Sequence, residues 1–126
     1  MNNFFIISAA IVILFLVLFF ISGSNVESIS AEQLRIKLNS NKKIGIIDVR
    51  SDKEYYGKIG HIEGSILVPL ANLKSSIDSI KSKNYEEIYT ICLSGGRSAK
   101  AVNELKKYDI KAINIRGGML AWNLLK

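Results

Sequence analysis

Cys92 is the one cysteine in the chain, and it is followed by Leu93-Ser94-Gly95-Gly96-Arg97-Ser98. A single cysteine forms no internal disulfide, and it excludes CxxC redox or zinc chemistry within one chain. Alone, such a residue is more often an inert core thiol than a nucleophile, so its surroundings decide. Cys92 closes the apolar run Ile88-Tyr89-Thr90-Ile91, and a helical pattern begins about six residues later. The loop between them wraps backbone N–H groups around the thiol at the positive end of a helix dipole. Gly95 and Gly96 permit backbone conformations that other residues resist. Arg97 adds a fixed positive charge at the far end of the loop. Each feature lowers a thiol pKa, and the thiolate is the nucleophilic form. The same cradle suits an anionic product such as a persulfide or an oxyanion. Ser94 and Ser98 could donate to that anion or cap the helix. The plainer alternative is a core cysteine followed by an ordinary glycine turn.

The elements that position this loop are legible as alternating strands and helices. Ile44-Gly45-Ile46-Ile47-Asp48-Val49 is apolar without alternation, as in a strand buried on both faces. It ends in Asp48 and Arg50, charges at the carboxyl end of a strand, where open α/β sheets place ligands. Ser51 to Lys58 reads as a short helix capped by Ser51 or Asp52. Ser65 to Pro69 reads as a short strand stopped by the only proline. Leu70, Leu73, Ile77 and Ile80 predict a helix over 70–83. Residues 88–92 predict a third buried strand, 98–107 a helix and 113–115 a last strand. Gly117-Gly118 then precedes a helix over 119–125. Near the start of this region, Ser30-Ala31-Glu32-Gln33 matches a capping box, with Leu34 and Leu38 on the apolar side of its helix. This order predicts an α/β fold, an open parallel sheet with helices on both faces.

Ahead of it, Phe4 to Ile21 carries no charge. A helix of that length rises about 27 Å at ~1.5 Å per residue, close to the hydrocarbon thickness of a bilayer. The expectation is one transmembrane helix within an anchor over 1–23, a tether over 24–28 and a domain over 29–126. Cleavage as a signal peptide near Ser22-Gly23-Ser24, giving a secreted or periplasmic domain, is the alternative. A segment apolar on every face fits a core helix poorly. Arg35 and Lys37 follow the segment and no basic residue precedes it, which favours a single-pass protein with a cytoplasmic domain. All 17 basic and 11 acidic side chains lie after it, so the net +6 belongs to the domain. That charge suits an anionic substrate or a membrane surface, and equally a solvated face with no partner. No dense basic run with interleaved aromatics occurs, so no nucleic-acid partner is expected.

Four motifs in order resemble the rhodanese domain over roughly residues 28–125. They are Ile47-Asp48-Val49-Arg50, Gly60-His61-Ile62-Glu63-Gly64-Ser65 with Pro69, Cys92 to Arg97, and Arg116-Gly117-Gly118-Met119-Leu120-Ala121-Trp122. The resemblance implies a sulfurtransferase in which Cys92 attacks a thiosulfate- or persulfide-type donor and becomes a persulfide. A thiol, a protein or another nucleophile then removes the sulfur. Cys92 and Arg97 would be catalytic, and Leu93, Ser94, Gly95 and Gly96 would bind substrate. Asp48 and Arg50 would support the loop and neighbouring segments. No metal or organic cofactor is implied. His61, the only histidine, reads as structural in its motif, and Trp122 as a core aromatic.

Two departures from the family pattern stand out. Leu93 occupies a position where many members carry Arg or Lys, which favours a persulfide donor over thiosulfate. The stretch from Glu54 to Gly60 is longer than usual, which weakens any role carried over to Glu54. Phosphatases and arsenate reductases share a Cys…Arg loop, but theirs holds five residues between the two, against four here. That smaller ring suits a single sulfur better than a tetrahedral oxyanion. A persulfide carrier without turnover, or a membrane-tethered docking or sensing module, remains the main rival to an enzyme.

Overall fold

Runs of Ile, Val and Tyr without polar alternation bury both faces of their strands, and such strands need helices above and below the sheet. The computed structural model describes residues 2–21 and 25–126 and meets that requirement. Five strands, β1 (Ser28–Ser30), β2 (Ile44–Asp48), β3 (Ile66–Leu67), β4 (Glu87–Ile91) and β5 (Ile113–Arg116), form one sheet in the order β1-β5-β4-β2-β3. Every pairing is parallel. The helices are α1 (Asn2–Ile21), α2 (Ala31–Leu38), α3 (Asp52–Tyr55), α4 (Ile77–Ser82), α5 (Gly96–Lys106) and α6 (Gly118–Asn123).

The chain leaves β2 toward one edge of the sheet through β3, and leaves β4 toward the other through β5. The order therefore reverses between β2 and β4. At such a point the crossovers diverge and leave a crevice outside the carboxyl ends of the strands. Asp48 ends β2 there, and Cys92 follows β4 directly. One core, with Leu73, Ile77, Ile80, Ala101, Val102 and Leu105, covers one face of the sheet through α4 and α5. The other, with Ala31, Leu34, Tyr89, Ile115 and Met119, covers the opposite face through α2 and α6, and Trp122 packs against it.

Local chemistry explains the helix starts. Ser30 Oγ accepts from the Gln33 N–H at 3.1 Å while Gln33 Oε1 accepts from the Ser30 N–H at 2.8 Å. This is the reciprocal capping box the sequence implies. Of the two caps open for α3, Ser51 fills the role, its hydroxyl accepting from the Glu54 N–H at 3.2 Å.

The structure differs from expectation over residues 70–83 and at Ser28, and the membrane span finds no support. Residues 70–83 are not one helix but two 3-10 turns, Leu70–Asn72 and Lys74–Ser76, followed by α4. The Ser75 and Ser76 hydroxyls each donate to the Asn72 carbonyl at 2.9 Å, a local bond that competes with regular helix geometry. The stretch assigned to a tether over 24–28 already reaches the sheet: Ser28 opens β1, and the Glu27 carbonyl accepts from the Asn114 N–H at 2.9 Å. Ser24 and the possible cleavage region 22–24 lie outside the described residues. Among the described residues no helix is long and apolar enough to cross a membrane, so the span expected over 4–21 is not supported there.

Asp48 and Arg50 fasten the end of β2 to the segment beyond α3. They are 0% and 1% exposed, with Arg50 Nη2 2.7 Å from Asp48 Oδ2 and Nε 2.9 Å from Oδ1. Arg50 also donates to the Gly60 carbonyl at 2.8 Å and the Glu54 carbonyl at 3.4 Å. Arg50→Ala leaves a buried carboxylate without its counter-ion, an error costing about 3–5 kcal/mol. The expected outcome is a large fall in the urea unfolding midpoint, whereas Lys53→Ala on exposed α3 leaves it nearly unchanged.

Candidate active site

The site begins with strand β4, which carries Cys92 into the crevice at 1% exposure. The sulfur is a free thiol. Gly95, with φ +115°, turns the chain into α5, and that helix starts at Gly96, two residues earlier than the sequence suggests. Neither Ser94 nor Ser98 caps it; Gly95 does, without a side-chain bond. The Gly95 N–H donates to Cys92 Sγ at 3.0 Å. Ser98, fully buried, points its hydroxyl back into the loop, 3.3 Å from Cys92 Sγ.

The turn after β5 holds this loop in place. The N–H groups of Met119 and Leu120, at the start of α6, donate to the carbonyls of Cys92 and Leu93 at 2.8 and 3.1 Å. In a trans peptide the N–H points opposite to its own C=O. Turning the Leu93 carbonyl to α6 therefore turns the Ser94 N–H toward the sulfur side. Gly118 makes this approach possible: at φ +55°, any Cβ there would meet the Cys92 carbonyl and lie 2.5 Å from that of Leu93.

Two opposing influences set the thiol's ionisation. Burial pushes Cys92 up, but the Ser98 hydroxyl and the N–H groups of Ser98, Gly95 and Ser94 outweigh it and hold the thiol below its ordinary value. Ser98 Oγ also lies 3.2 Å from the Gly95 carbonyl and 2.6 Å from Asn114 Oδ1. One hydroxyl proton thus has three acceptors, and negative charge on sulfur is the strongest draw. Asn114, 7% exposed on β5, further ties the loop by donating from Nδ2 to the Gly95 carbonyl at 3.3 Å. No motif contains Asn114, and its signal in the sequence is a polar residue between Ile113 and Ile115 in a buried strand.

Arg97 does not touch the sulfur. Its Nη1 and Nη2 bind Glu54 Oε1 and Oε2 at 2.7 and 2.8 Å, a bidentate clamp between α5 and α3. The Arg97 bond holds the Glu54 carboxyl down to about 2. Glu54, weighed lightly because of its spacing, is therefore the direct partner of Arg97. Arg50, held by Asp48, bonds to the Glu54 and Gly60 carbonyls rather than to the Cys92 loop, so the pair's link to the loop runs through Glu54 and Arg97. Leu93 lies at the rim, half-buried, while Ser94 and Gly96 are exposed. His61 stays outside the cluster: its Nδ1 donates to the Tyr55 carbonyl at 2.9 Å, and its ring stacks on Tyr55 at 3.7 Å. Among the described residues no cluster of His, Cys, Asp and Glu could hold a metal ion.

A strand-borne thiol in a ring of amides, closed by Arg97, now stands beside the sequence comparisons. The rhodanese-like domain family model matches residues 30–125. The chain belongs to the rhodanese-like family. Among relatives, the candidate sulfur carrier protein YrkF of Bacillus subtilis is 34% identical over 102 residues, covering 80% of this chain and 53% of YrkF. The chain thus spans about half the length of that relative. The candidate sulfurtransferase YtwF of Bacillus subtilis is 29% identical over 97 residues, covering 77% of this chain and 90% of YtwF. A solved rhodanese-like domain protein from Staphylococcus aureus is 39% identical with a TM-score of 0.65, covering 76% of this chain and 90% of that one. The fold and the sulfur-handling family are therefore those the four motifs resemble.

The rhodanese loop yields a direct test of its hydrogen bonds. Ser98→Ala removes one donor to sulfur, so the midpoint of the pH profile for Cys92 alkylation by iodoacetamide moves upward. Asn114→Leu removes a competing acceptor without touching sulfur and does not move that midpoint upward if the loop stays folded.

Proposed function

We propose that this rhodanese-like chain is a sulfurtransferase that carries sulfane sulfur on Cys92. The observation that carries the reading is a buried thiol that accepts bonds from the Gly95 N–H and the Ser98 hydroxyl, with its pKa held below the ordinary value. Such a sulfur is a thiolate over more of the neutral range than an ordinary cysteine. The thiolate attacks the outer sulfur of a donor R–S–SH; the donor's S–S bond breaks, and R–S⁻ leaves with the electron pair. Cys92 then holds –S–SH, whose anionic form suits the same amides. An acceptor thiolate attacks the outer sulfur next, and the Cys92 thiolate is regenerated. With thiosulfate the leaving group is sulfite.

Arg97, Leu93, Ser94, Gly95 and Gly96 serve this chemistry in different ways. The loop amides stabilise charge on sulfur, and Arg97 contributes through its field and by locking α5 to α3. Four residues between Cys92 and Arg97, and an Arg97 occupied by Glu54, support sulfur over phosphate or arsenate chemistry. A carrier without turnover is the second reading, supported by the likeness to YrkF.

Membrane attachment by α1 is a separate proposal, resting on 20 residues without a charge. A cytoplasmic domain follows from the basic residues after it. Alkaline carbonate extraction of membranes tests attachment: the chain stays in the pellet if α1 is inserted and moves to the supernatant if it is not.

Incubation with an organic hydropersulfide, followed by intact mass, tests the chemistry. Wild type gains one sulfur atom and loses it to a thiol chase; Cys92→Ser gains none. Repeated cycles at a rate matching product formation indicate an enzyme, and one slow discharge a carrier. A reduced, accessible Cys92 that loads from neither hydropersulfide nor thiosulfate contradicts the reading.

A further inference from the structure

Leu93 and the segment from Glu54 to Ile59 meet in space. They line one cavity of about 310 Å³ beside the Cys92 loop, Leu93 coming from the loop and Gly57, Lys58 and Ile59 from the segment after α3. Arg50, Lys53 and Glu54 complete the lining. A larger cavity of about 450 Å³ lies between residues 25–27 and 109–112 and includes no residue of this loop.

Charge accounting leaves an uneven rim. Arg50 is paired with Asp48, and Glu54 with Arg97. Among the described residues, Lys53 and Lys58 make no ion pair or side-chain hydrogen bond. The cavity thus has an apolar wall of Leu93, Gly57 and Ile59, and Lys53 and Lys58, both exposed, contribute to its lining without an ion pair of their own. Small-molecule sites begin near this size, about 300 Å³, with apolar walls and a few polar groups to fix orientation.

Building on the sulfur-transfer reading, we propose that this cavity seats the body of an organic hydropersulfide whose carbon skeleton carries a carboxylate. The apolar part lies against Leu93 and Ile59, the carboxylate meets Lys53 and Lys58, and the outer sulfur is presented to Cys92. The transfer is R–S–SH plus the Cys92 thiolate giving Cys92–S–SH plus R–S⁻, with no oxidant or reductant needed. Leu93 brings no charge to the loop for a bare inorganic anion, and the segment from α3 to Gly60 supplies a wall and two lysines for a larger donor.

The test compares the hydropersulfide of N-acetylcysteine, its methyl ester and thiosulfate as donors to the full-length chain in detergent. Cys92 loading is read by mass and initial rate. Wild type is expected to favour the acid over the ester by about fivefold in kcat/KM, as suits contacts with exposed charges. Lys53→Gln/Lys58→Gln brings the acid to parity with the ester through KM and leaves the ester rate unchanged. Equal use of acid and ester, with no effect of the lysine pair, overturns the cavity assignment while sulfur transfer itself stands. Equal losses for thiosulfate and the acid also overturn it, because the lysines then act as a general anion funnel. Failure of all three donors on a thiol shown to alkylate overturns the sulfur-transfer reading beneath it.

Discussion

A peptide unit that turns its N–H toward a sulfur atom must send its carbonyl the other way, and a buried carbonyl needs a donor. In this chain the carbonyls of Cys92 and Leu93 find those donors in the first N–H groups of α6. Helix starts have spare N–H groups for such use. The Gly117-Gly118 turn brings α6 so close that a side chain on Gly118 would collide with both carbonyls. The closing motif, distant in sequence from Cys92, is thus the back wall of the thiol loop. It sets which way the loop faces, and α5 supplies the positive end of a dipole from the front.

Charged pairs extend this frame outward from the sulfur. Arg50, paired with Asp48, pins the Glu54 and Gly60 carbonyls, Glu54 clamps Arg97, and Arg97 lies in the first turn of α5. Glu54 is held down to about 2 from 4.5, so its contribution to stability is fully present above the ordinary carboxylate range. It fades only as pH falls toward about 2. Cys92, by contrast, gives up its negative charge as pH falls through its own lowered pKa. A loss of reactivity at a pH well above the range in which Glu54 titrates therefore belongs to the sulfur and not to the Arg97 clamp.

Much of this was legible in the residues. Apolar strands without alternation gave the parallel sheet, and the Cys92-to-Arg97 spacing gave the thiol loop. Other features were not legible, for specific reasons. Residues 70–83 have helical periodicity, but the bonds from Ser75 and Ser76 to the Asn72 carbonyl divide the segment, and periodicity does not record such bonds. Ser28–Ser30 is too short and polar to read as a strand, because it gains its place from pairing with β5. Glu54 and Arg97 are joined only when α3 and α5 come together. Asn114 lies in a different strand from Cys92, and a polar residue in an apolar run signals a partner without naming it.

The central claim is that a small set of loop donors, and no distant base, stabilises negative charge on Cys92. The most direct measurement is the backbone amide nitrogen and proton shifts of Ser94, Gly95 and Ser98, followed by NMR through the thiol titration. The account predicts that these amides move together, with one midpoint below that of an ordinary thiol, and that Cys92→Ser abolishes the transition. A midpoint at or above the ordinary thiol value, or a transition carried by His61 while the loop amides stay still, would contradict it.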